Sequence, residues 1–175
     1  SPRYPVPTMP QIDITALEND LLLRGVWEGL GMPPCHATGG YVRDRLLGRK
    51  SVDLDLVLPG DLEDARGPAR RFAARLDTRA HILGREDRRV WRIETPEINV
   101  ELWPPGELSF NDDVRRRDFS INAVIWHLPD GPLEDRVGGL EDLAHGRLRA
   151  ISKKNLADDP VRLVRAPRFL AQLGG

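Results

Sequence analysis

The chain has 175 residues, which is enough for one domain or for one domain with part of another. Its net charge of −1 excludes a polycation that binds nucleic acid through overall charge, so any contact with RNA needs local arginine clusters. The single cysteine, Cys35, excludes an intrachain disulfide, and neither a signal peptide nor a membrane-spanning apolar run is visible, so we expect a soluble cytoplasmic protein.

The first segments are predicted to be a leader and a helix. Residues 1–14 read as an extended leader, because the stretch starts proline-rich and shows no periodicity. Thr15 and Glu18 have the spacing of a capping box, which predicts the start of a helix. The apolar residues at helical spacing, which we expect to face the core, are Leu17, Leu21, Leu22, Val26 and Leu30.

A glycine turn and a short helix open the stretch TGGYVRDRLLGRKSVDLDLVL, residues 38–58. Gly39 and Gly40 allow backbone N–H groups to approach an anion near the helix N-terminus, whose dipole favours negative charge. Arg43 and Asp44 lie on the helix that follows. A glycine pair by itself is more typical of an ordinary turn, so its meaning depends on what comes next.

The same stretch ends in an acidic strand, predicted for residues 52–58. Asp53 and Asp55 are two residues apart, so both carboxylates point to one face of a strand. Val52, Leu54, Leu56 and Leu58 are expected on the core face. Adjacent carboxylates repel each other unless a cation lies between them, and all-oxygen ligands suit a hard cation such as Mg2+.

An arginine-rich helix is predicted for residues 62–76, with a break at Gly67-Pro68. Its expected core positions are Ala69, Phe72, Ala73 and Leu76, and its arginines are expected to be solvated. Three further strands are predicted, at residues 80–83, 90–95 and 98–103. On the last strand Glu101 is able to meet the acidic pair across the sheet, although spacing alone favours an ordinary exposed glutamate.

A basic cluster follows a short polar connection over residues 104–113. Arg117, Asp118 and Asn122 have the chemistry to grip a triphosphate and a ribose; the alternative is a basic helix start. A turn with a short helix is predicted at residues 133–143, and a basic strand at residues 145–151.

The last helix is predicted to start at Asp158-Asp159-Pro160, with aspartate as the N-cap. Arg162, Arg165 and Arg168 are expected on one side, while Val161, Val164 and Phe169 face a core. Pro167 is expected to kink the axis, and the end at Gly174-Gly175 looks like a truncation. The alternative for the arginines is an ordinary salt-bridged face.

Three separated blocks resemble, in order, the motifs of class II tRNA nucleotidyltransferases and bacterial poly(A) polymerases of the polymerase β superfamily. They are GGYVRDRLLGRKSVDLDLV, RRDFSINA (with Ser120 where threonine is usual) and DDPVRLVRAPRF, and LEDRVGGLEDL resembles the connecting segment. The resemblance implies an α+β head with a mixed, mainly antiparallel sheet flanked by helices, here residues 15–151. The start of a helical neck, truncated, would occupy residues 152–175.

The resemblance also implies roles for particular residues. Asp53 and Asp55 match the ligands of the catalytic metals, and Glu101 matches the third carboxylate. The implied nucleotide-binding positions are Gly39, Gly40, Arg43, Asp44, Arg117, Asp118, Asn122, Asp159, Arg162, Arg165 and Arg168. The implied reaction is two-metal nucleotidyl transfer with Mg2+ from CTP or ATP to the 3′ end of tRNA, with release of pyrophosphate.

The sequence leaves the exact product open. The connection from Trp103 to Val114 is short, which resembles compact members that add only C. The neck residues that would pair with the base, and the tRNA-gripping domains, are absent from the sequence. A poly(A) polymerase is therefore the alternative within the family. A non-catalytic nucleotide-binding module is the alternative from another class, and the intact carboxylates argue against it.

Overall fold

The computed structural model describes residues 10–159 and 161–173. The helices in these residues are α1 (Thr15–Glu18), α2 (Leu21–Gly29), α3 (Gly39–Leu46), α4 (Arg66–Arg75), α5 (Phe110–Arg115), α6 (Gly139–Ala144), α7 (Lys153–Asp158) and α8 (Val161–Leu173), with a 3-10 turn at Ser120–Asn122. The strands are β1 (His36–Thr38), β2 (Asp53–Val57), β3 (Ala80–Leu83), β4 (Val90–Glu94), β5 (Asn99–Trp103), β6 (Ile125–His127) and β7 (Leu133–Glu134). None of these helices combines the length and apolarity needed to cross a bilayer.

The strands form one open sheet in the order β3-β4-β5-β2-β1-β6-β7. All neighbouring strands in it are antiparallel except β2 and β5, which are parallel. A parallel pair needs a crossover connection, and here α4 and the β3–β4 hairpin form it. The predicted fold class, α+β with a mixed, mainly antiparallel sheet flanked by helices, is confirmed.

The core lies on one face of this sheet. Leu54 and Leu56 on β2 are buried, and they share a single apolar cluster with Val100 on β5, Val42 on α3 and Phe72 on α4. Because side chains alternate along a strand, this burial directs the intervening polar side chains of β2 and β5 to the opposite face. That opposite face carries the candidate site.

The first predicted helix is in fact two helices, α1 and α2. Asp20 caps α2, since its Oδ1 accepts a hydrogen bond from the Leu23 amide at 3.0 Å. This new start shifts the helical phase, so Leu23 is buried, whereas Leu21 is 82% exposed and Leu22 is also exposed. The capping-box prediction is wrong, because Asp13 rather than Glu18 bonds to Thr15.

Some other element boundaries also differ from the predictions. Val52 is exposed because β2 starts only at Asp53, and Leu76 is exposed because α4 ends at Arg75. Gly67-Pro68 does not break α4 but lies in its first turn, where proline loses no helical hydrogen bond. In place of the basic strand at residues 145–151, the structure has a single bridge from Ala150 to Phe119.

The aspartate predicted to cap the C-terminal helix is Asp159, whereas Asp158 belongs to the preceding helix. Asp158 ends α7, and α8 starts at Val161 with its amide donating to Asp159 Oδ1 at 3.3 Å. Phe169 is buried as predicted, but Val161 is exposed and Val164 is 77% exposed. The predictions for residues 1–9, Pro160 and Gly174-Gly175 concern positions outside the described residues.

Candidate active site

The acidic strand β2 lies at the centre of the sheet, between β1 and β5. The parallel register of β2 and β5 pairs Asp55 with Glu101 and Asp53 with Asn99. Asn99 Nδ2 donates a hydrogen bond to Asp53 Oδ1 at 3.0 Å. Glu101 is thus the direct cross-strand neighbour of Asp55, rather than the isolated exposed glutamate that spacing alone favours.

The environment of Asp55 disfavours its charged form. Burial is the main reason that its pKa is raised to about 6, and the charges of Glu101 and Asp53 raise it further. Arg117 and Arg92 act in the opposite direction. Repulsion between neighbouring carboxylates is the condition that a bound cation relieves, so this strand has the electrostatics of a cation site.

The third carboxylate, Glu101, forms an ion pair with Arg92. The antiparallel register of β4 and β5 places Arg92 opposite Glu101, and its Nη1 lies 2.5 Å from Glu101 Oε1. Within residues 10–159 and 161–173, no group of three or more acidic, histidine or cysteine side chains is arranged around a common metal position. The two carboxylates of the acidic pair are oxygen donors of the kind that a hard cation takes as ligands.

The glycine turn lies directly against the acidic strand. The register of β1 and β2 pairs Thr38 with Asp55, and α3 starts at the next residue, Gly39. Gly39 has φ +73°, and a Cβ there would lie 2.9 Å from Asp55 Oδ2, so a side chain is excluded by both conformation and space. At Gly40 a Cβ would only reach ordinary contact with Arg43 at 3.4 Å, so the requirement for glycine falls on Gly39.

The first and second motifs meet in a buried hydrogen-bond network. Arg43, only 5% exposed, donates from Nη1 to Asn122 Oδ1 at 2.7 Å and from Nε to Asp44 Oδ1 at 2.9 Å. Asn122 Nδ2 donates to Asp118 Oδ1 at 3.1 Å, and the Arg43 guanidinium lies 4.9 Å from the centre of the Phe169 ring. These contacts connect α3, the 3-10 turn and α8 into one wall of the site.

Arg117 is the second-motif residue that faces the acidic strand. It lines a cavity of about 170 Å³ together with Asp55, Glu101 and Trp103. Its Nη2 donates to Asp113 Oδ2 at 3.1 Å, and its Nη1 lies near the Gly39 turn. A second cavity, of about 250 Å³, adjoins the first because Trp103 and Arg117 line both.

The arginines of the third motif differ in burial. Arg162 is buried and donates to the carbonyl oxygens of Arg116 at 2.9 Å and Asn155 at 3.2 Å. Arg165 is exposed and lies 4.0 Å from Asp118 Oδ2, and Arg168 is also exposed. The three arginines therefore do not share one side, because backbone carbonyls draw Arg162 inward.

Asp159 and Ser120 serve the local structure of these motifs. Asp159 pairs with Arg162 at 3.5 Å at the start of α8. Ser120 Oγ donates to the buried Asp142 at 2.6 Å. Threonine, which is usual at this position, carries the same hydroxyl, so serine keeps this hydrogen bond. Three site neighbours were missed by sequence reasoning, Arg92, Asn99 and Asp113, and only strand register or the four-residue spacing to Arg117 would have pointed to them.

The sheet and its acidic central strand define a nucleotidyltransferase head domain, and solved structures share them. The Thermotoga maritima CCA-adding enzyme complexed with tRNA-CCA has a TM-score of 0.66 and 30% identity, over 91% of this chain and 38% of that one. A complex of a CCA-adding enzyme with CTP has a TM-score of 0.64 and 29% identity over the same shares. More narrowly, the sequence model of the poly A polymerase head domain matches residues 35–149, and the chain belongs to this family.

Curated relatives carry several names within this family. A CC-adding tRNA nucleotidyltransferase of Synechocystis sp. is 36% identical over 144 residues, which are 81% of this chain and 33% of the relative. An A-adding tRNA nucleotidyltransferase of Deinococcus radiodurans is 40% identical over 143 residues, 81% of this chain and 31% of the relative. Poly(A) polymerase I of Escherichia coli O6:H1 is 32% identical over 163 residues, 78% of this chain and 33% of the relative. The chain thus spans about a third of the length of these relatives.

Proposed function

We propose that this domain carries the catalytic centre of a template-independent RNA nucleotidyltransferase, which adds C or A to the 3′ end of tRNA from CTP or ATP. One observation carries the proposal: Asp53 and Asp55 share a face of β2, with Glu101 across the sheet and the Gly39 turn against Asp55. The names of the relatives, which include CC-adding, A-adding and CCA-adding enzymes, support tRNA as the acceptor.

Asp53 and Asp55 would hold Mg2+ at this face. The pair offers oxygen ligands and a local excess of negative charge, which is the chemistry that a hard divalent cation requires. When bound, the metal would lower the pKa of the attacking 3′-hydroxyl and stabilise charge on the leaving pyrophosphate. Glu101 would join this role once its ion pair with Arg92 is exchanged, because Arg92 holds the carboxylate on the same face.

The remaining motif residues would bind and orient the nucleotide. Arg117 presents its guanidinium beside Asp55, where it would neutralise phosphate charge. Asp118 and Asn122 would accept and donate hydrogen bonds at the ribose, and Arg43 fixes the amide of Asn122. Exposed Arg165, anchored only loosely by Asp118, is free to reach a ligand. The other proposed nucleotide positions are Gly39, Gly40, Asp44, Asp159, Arg162 and Arg168, of which Asp44 and Arg162 act through the packing described above.

The domain boundary is also part of the proposal, with a head at residues 15–151 and the start of a neck at residues 152–175. It is supported by the family match, which ends at residue 149, and by the start of α7, where Ser152 caps the helix by accepting from the Asn155 amide at 3.1 Å. A new capped helix after the last sheet contact is a natural place for a boundary.

The test is incorporation of labelled CTP and ATP into a tRNA that lacks its 3′ CCA, in the presence of Mg2+. We expect transfer by the wild-type chain and none by Asp55→Asn, which removes charge but keeps the side-chain shape. Asp77→Asn, at an exposed aspartate that is not among the proposed site residues, serves as the matched control and should retain wild-type transfer. Transfer by Asp55→Asn at the wild-type rate would refute the assignment.

A poly(A) polymerase is the second candidate, favoured by the similarity to poly(A) polymerase I over 163 residues. The same acidic centre serves both reactions, so the product distinguishes them. Long A tracts on an oligo(A) acceptor, with tRNA left unextended, would favour this candidate. Addition of one to three residues that stops at a completed tRNA end would favour the first. A non-catalytic module would bind nucleotide but extend neither acceptor.

A further inference from the structure

Arg117 reaches the catalytic cavity from outside the sheet, and a single side chain holds it there. It follows the C-terminal end of α5, and its guanidinium lines the cavity that contains Asp55 and Glu101. Among the described residues, Asp113 is the side chain that accepts a hydrogen bond from this guanidinium, at 3.1 Å and four positions earlier. Both side chains are largely shielded from solvent, at 11% and 19% exposure.

The other donors of Arg117 are left available. Its Nε is buried and has no partner among the described residues, and its Nη1 points to the region of the Gly39 turn. Arginine has several rotatable bonds, so a guanidinium without a fixed contact would sample many positions. The guanidinium is planar and its N–H donors have fixed relative positions. A single buried carboxylate that binds one end of it therefore fixes the orientation of the whole group.

Asp113 is itself well placed to act as an anchor. Its backbone amide donates to the carbonyl of Ser109, the N-cap of α5, and the next residue, Val114, is buried in a cluster with Ala123 and Ile125. The carboxylate therefore sits on a packed helical turn rather than on a mobile loop. Asp112, its neighbour, is exposed and bonds to Ser109 at the helix start instead.

We propose that Asp113 is a positioning residue for phosphate binding: it holds the Arg117 guanidinium in the orientation that meets the phosphate groups of the nucleotide. The proposal rests on the proposed nucleotidyl transfer for the identity of the ligand, and it adds a residue outside the motif positions. Orienting a charged donor before the ligand arrives lowers the entropy cost of binding and of reaching the transition state.

Two substitutions separate positioning from charge. Asp113→Asn and Asp113→Ala both remove the negative charge next to Arg117, but only asparagine keeps an oxygen that accepts from the guanidinium. Loss of the charge alone makes the site more positive and favours phosphate. If Asp113→Ala binds phosphate more weakly than Asp113→Asn, the difference therefore reports the orientation of the Arg117 guanidinium.

The primary measurement is calorimetric affinity for inorganic tripolyphosphate and for CTP with Mg2+, which does not require transfer. We expect Asp113→Ala to bind about fivefold or more weakly than Asp113→Asn, and this gap to vanish in an Arg117→Gln background, where the oriented group is gone. Asp112→Asn is the matched control in the same turn and should bind like wild type. Thermal melting of every variant shows that each one is folded.

In the transfer assay, kcat/KM should fall in Asp113→Ala and recover in Asp113→Asn. Equal phosphate affinity of the two Asp113 variants, or a gap that persists without Arg117, would overturn the positioning role. A wild-type chain that binds tripolyphosphate but transfers nothing would instead refute the proposed function, while the comparison between the Asp113 variants would still decide the role of Asp113.

Discussion

His36 should make the stability of this domain depend on pH in a way that a single substitution removes. The residue is buried on β1, its ring lies 5.6 Å from that of His127 and 5.1 Å from that of Phe110, and its Nε2 has no partner among the described residues. Burial and, secondarily, the charge of His127 lower its pKa from 6.5 to about 4, while Asp113 partly opposes this shift. The folded protein therefore keeps His36 neutral where the unfolded chain protonates it.

The size and sign of the effect follow from the two pKa values. Because the folded-state pKa lies below the unfolded value, the unfolded chain binds the extra proton, and stability is lost as pH falls from 6.5 towards 4. At about 1.4 kcal/mol per pKa unit, the full loss, reached below both pKa values, is about 3 to 4 kcal/mol. Asp55 has the opposite effect on stability. Because its folded-state pKa is raised to about 6, the folded state binds the extra proton, and this group adds stability as pH falls below 6.

The assay is urea unfolding of wild type and His36→Gln at several pH values from 7.5 to 4.5, in a chelator. Comparing the two proteins cancels the groups that are not electrostatically coupled to His36, including Asp55. We expect the difference in free energy of unfolding to shift in favour of the variant by about 2–3 kcal/mol as pH falls. His81→Gln, which replaces an exposed histidine on the edge strand β3, is the matched control for the loss of one histidine. A difference for His36→Gln that does not change with pH would mean that His36 titrates normally, and the argument from its burial would be wrong.

Three further outcomes are expected at the site. Asp55→Ala should abolish transfer while the melting temperature stays constant or rises, because a partly buried, repelled carboxylate is removed; loss of folding would contradict this. Calorimetry should show that Mg2+ tightens CTP binding, since the metal screens the triphosphate from Asp53 and Asp55, and equal affinity with and without Mg2+ would count against the site. The chain should bind CTP and ATP with similar affinity, because Arg117 and Asp118 are proposed to contact phosphate and ribose rather than the base; strong selectivity in direct titrations would show that the head itself reads the base.

The acidic strand could be predicted from sequence because its information is local. Alternation with period two fixes that Asp53 and Asp55 share a face and that Leu54 and Leu56 lie opposite, whatever the rest of the fold does. The position of Glu101 beside Asp55 could not be predicted in this way. It depends on the parallel pairing of β2 with β5, which brings together residues that are 46 positions apart, and spacing within a single strand carries no information on such pairing.

The same limit explains the errors at the two ends of the described chain. In α8 the helical pattern alone suggested a basic face and an apolar face, yet Arg162 is buried because the carbonyl oxygens of Arg116 and Asn155 require donors. Near the start, Asp20 caps a separate helix, α2, in place of one helix that begins at Thr15. The new start changes the helical phase and leaves Leu21 exposed. In both places a tertiary or capping contact overrode the amphipathic pattern.

The motif residues fall into two physical groups, and the division limits what each is able to do. Arg43 and Arg162 have their donors engaged by protein oxygens, so binding a phosphate would require breaking contacts that hold the wall of the site together. Arg117 and Arg165 are each held at one end, by Asp113 and more loosely by Asp118, and keep other donors available. In the proposed function, the second group would therefore contact the triphosphate, and the first group would maintain the geometry of the site.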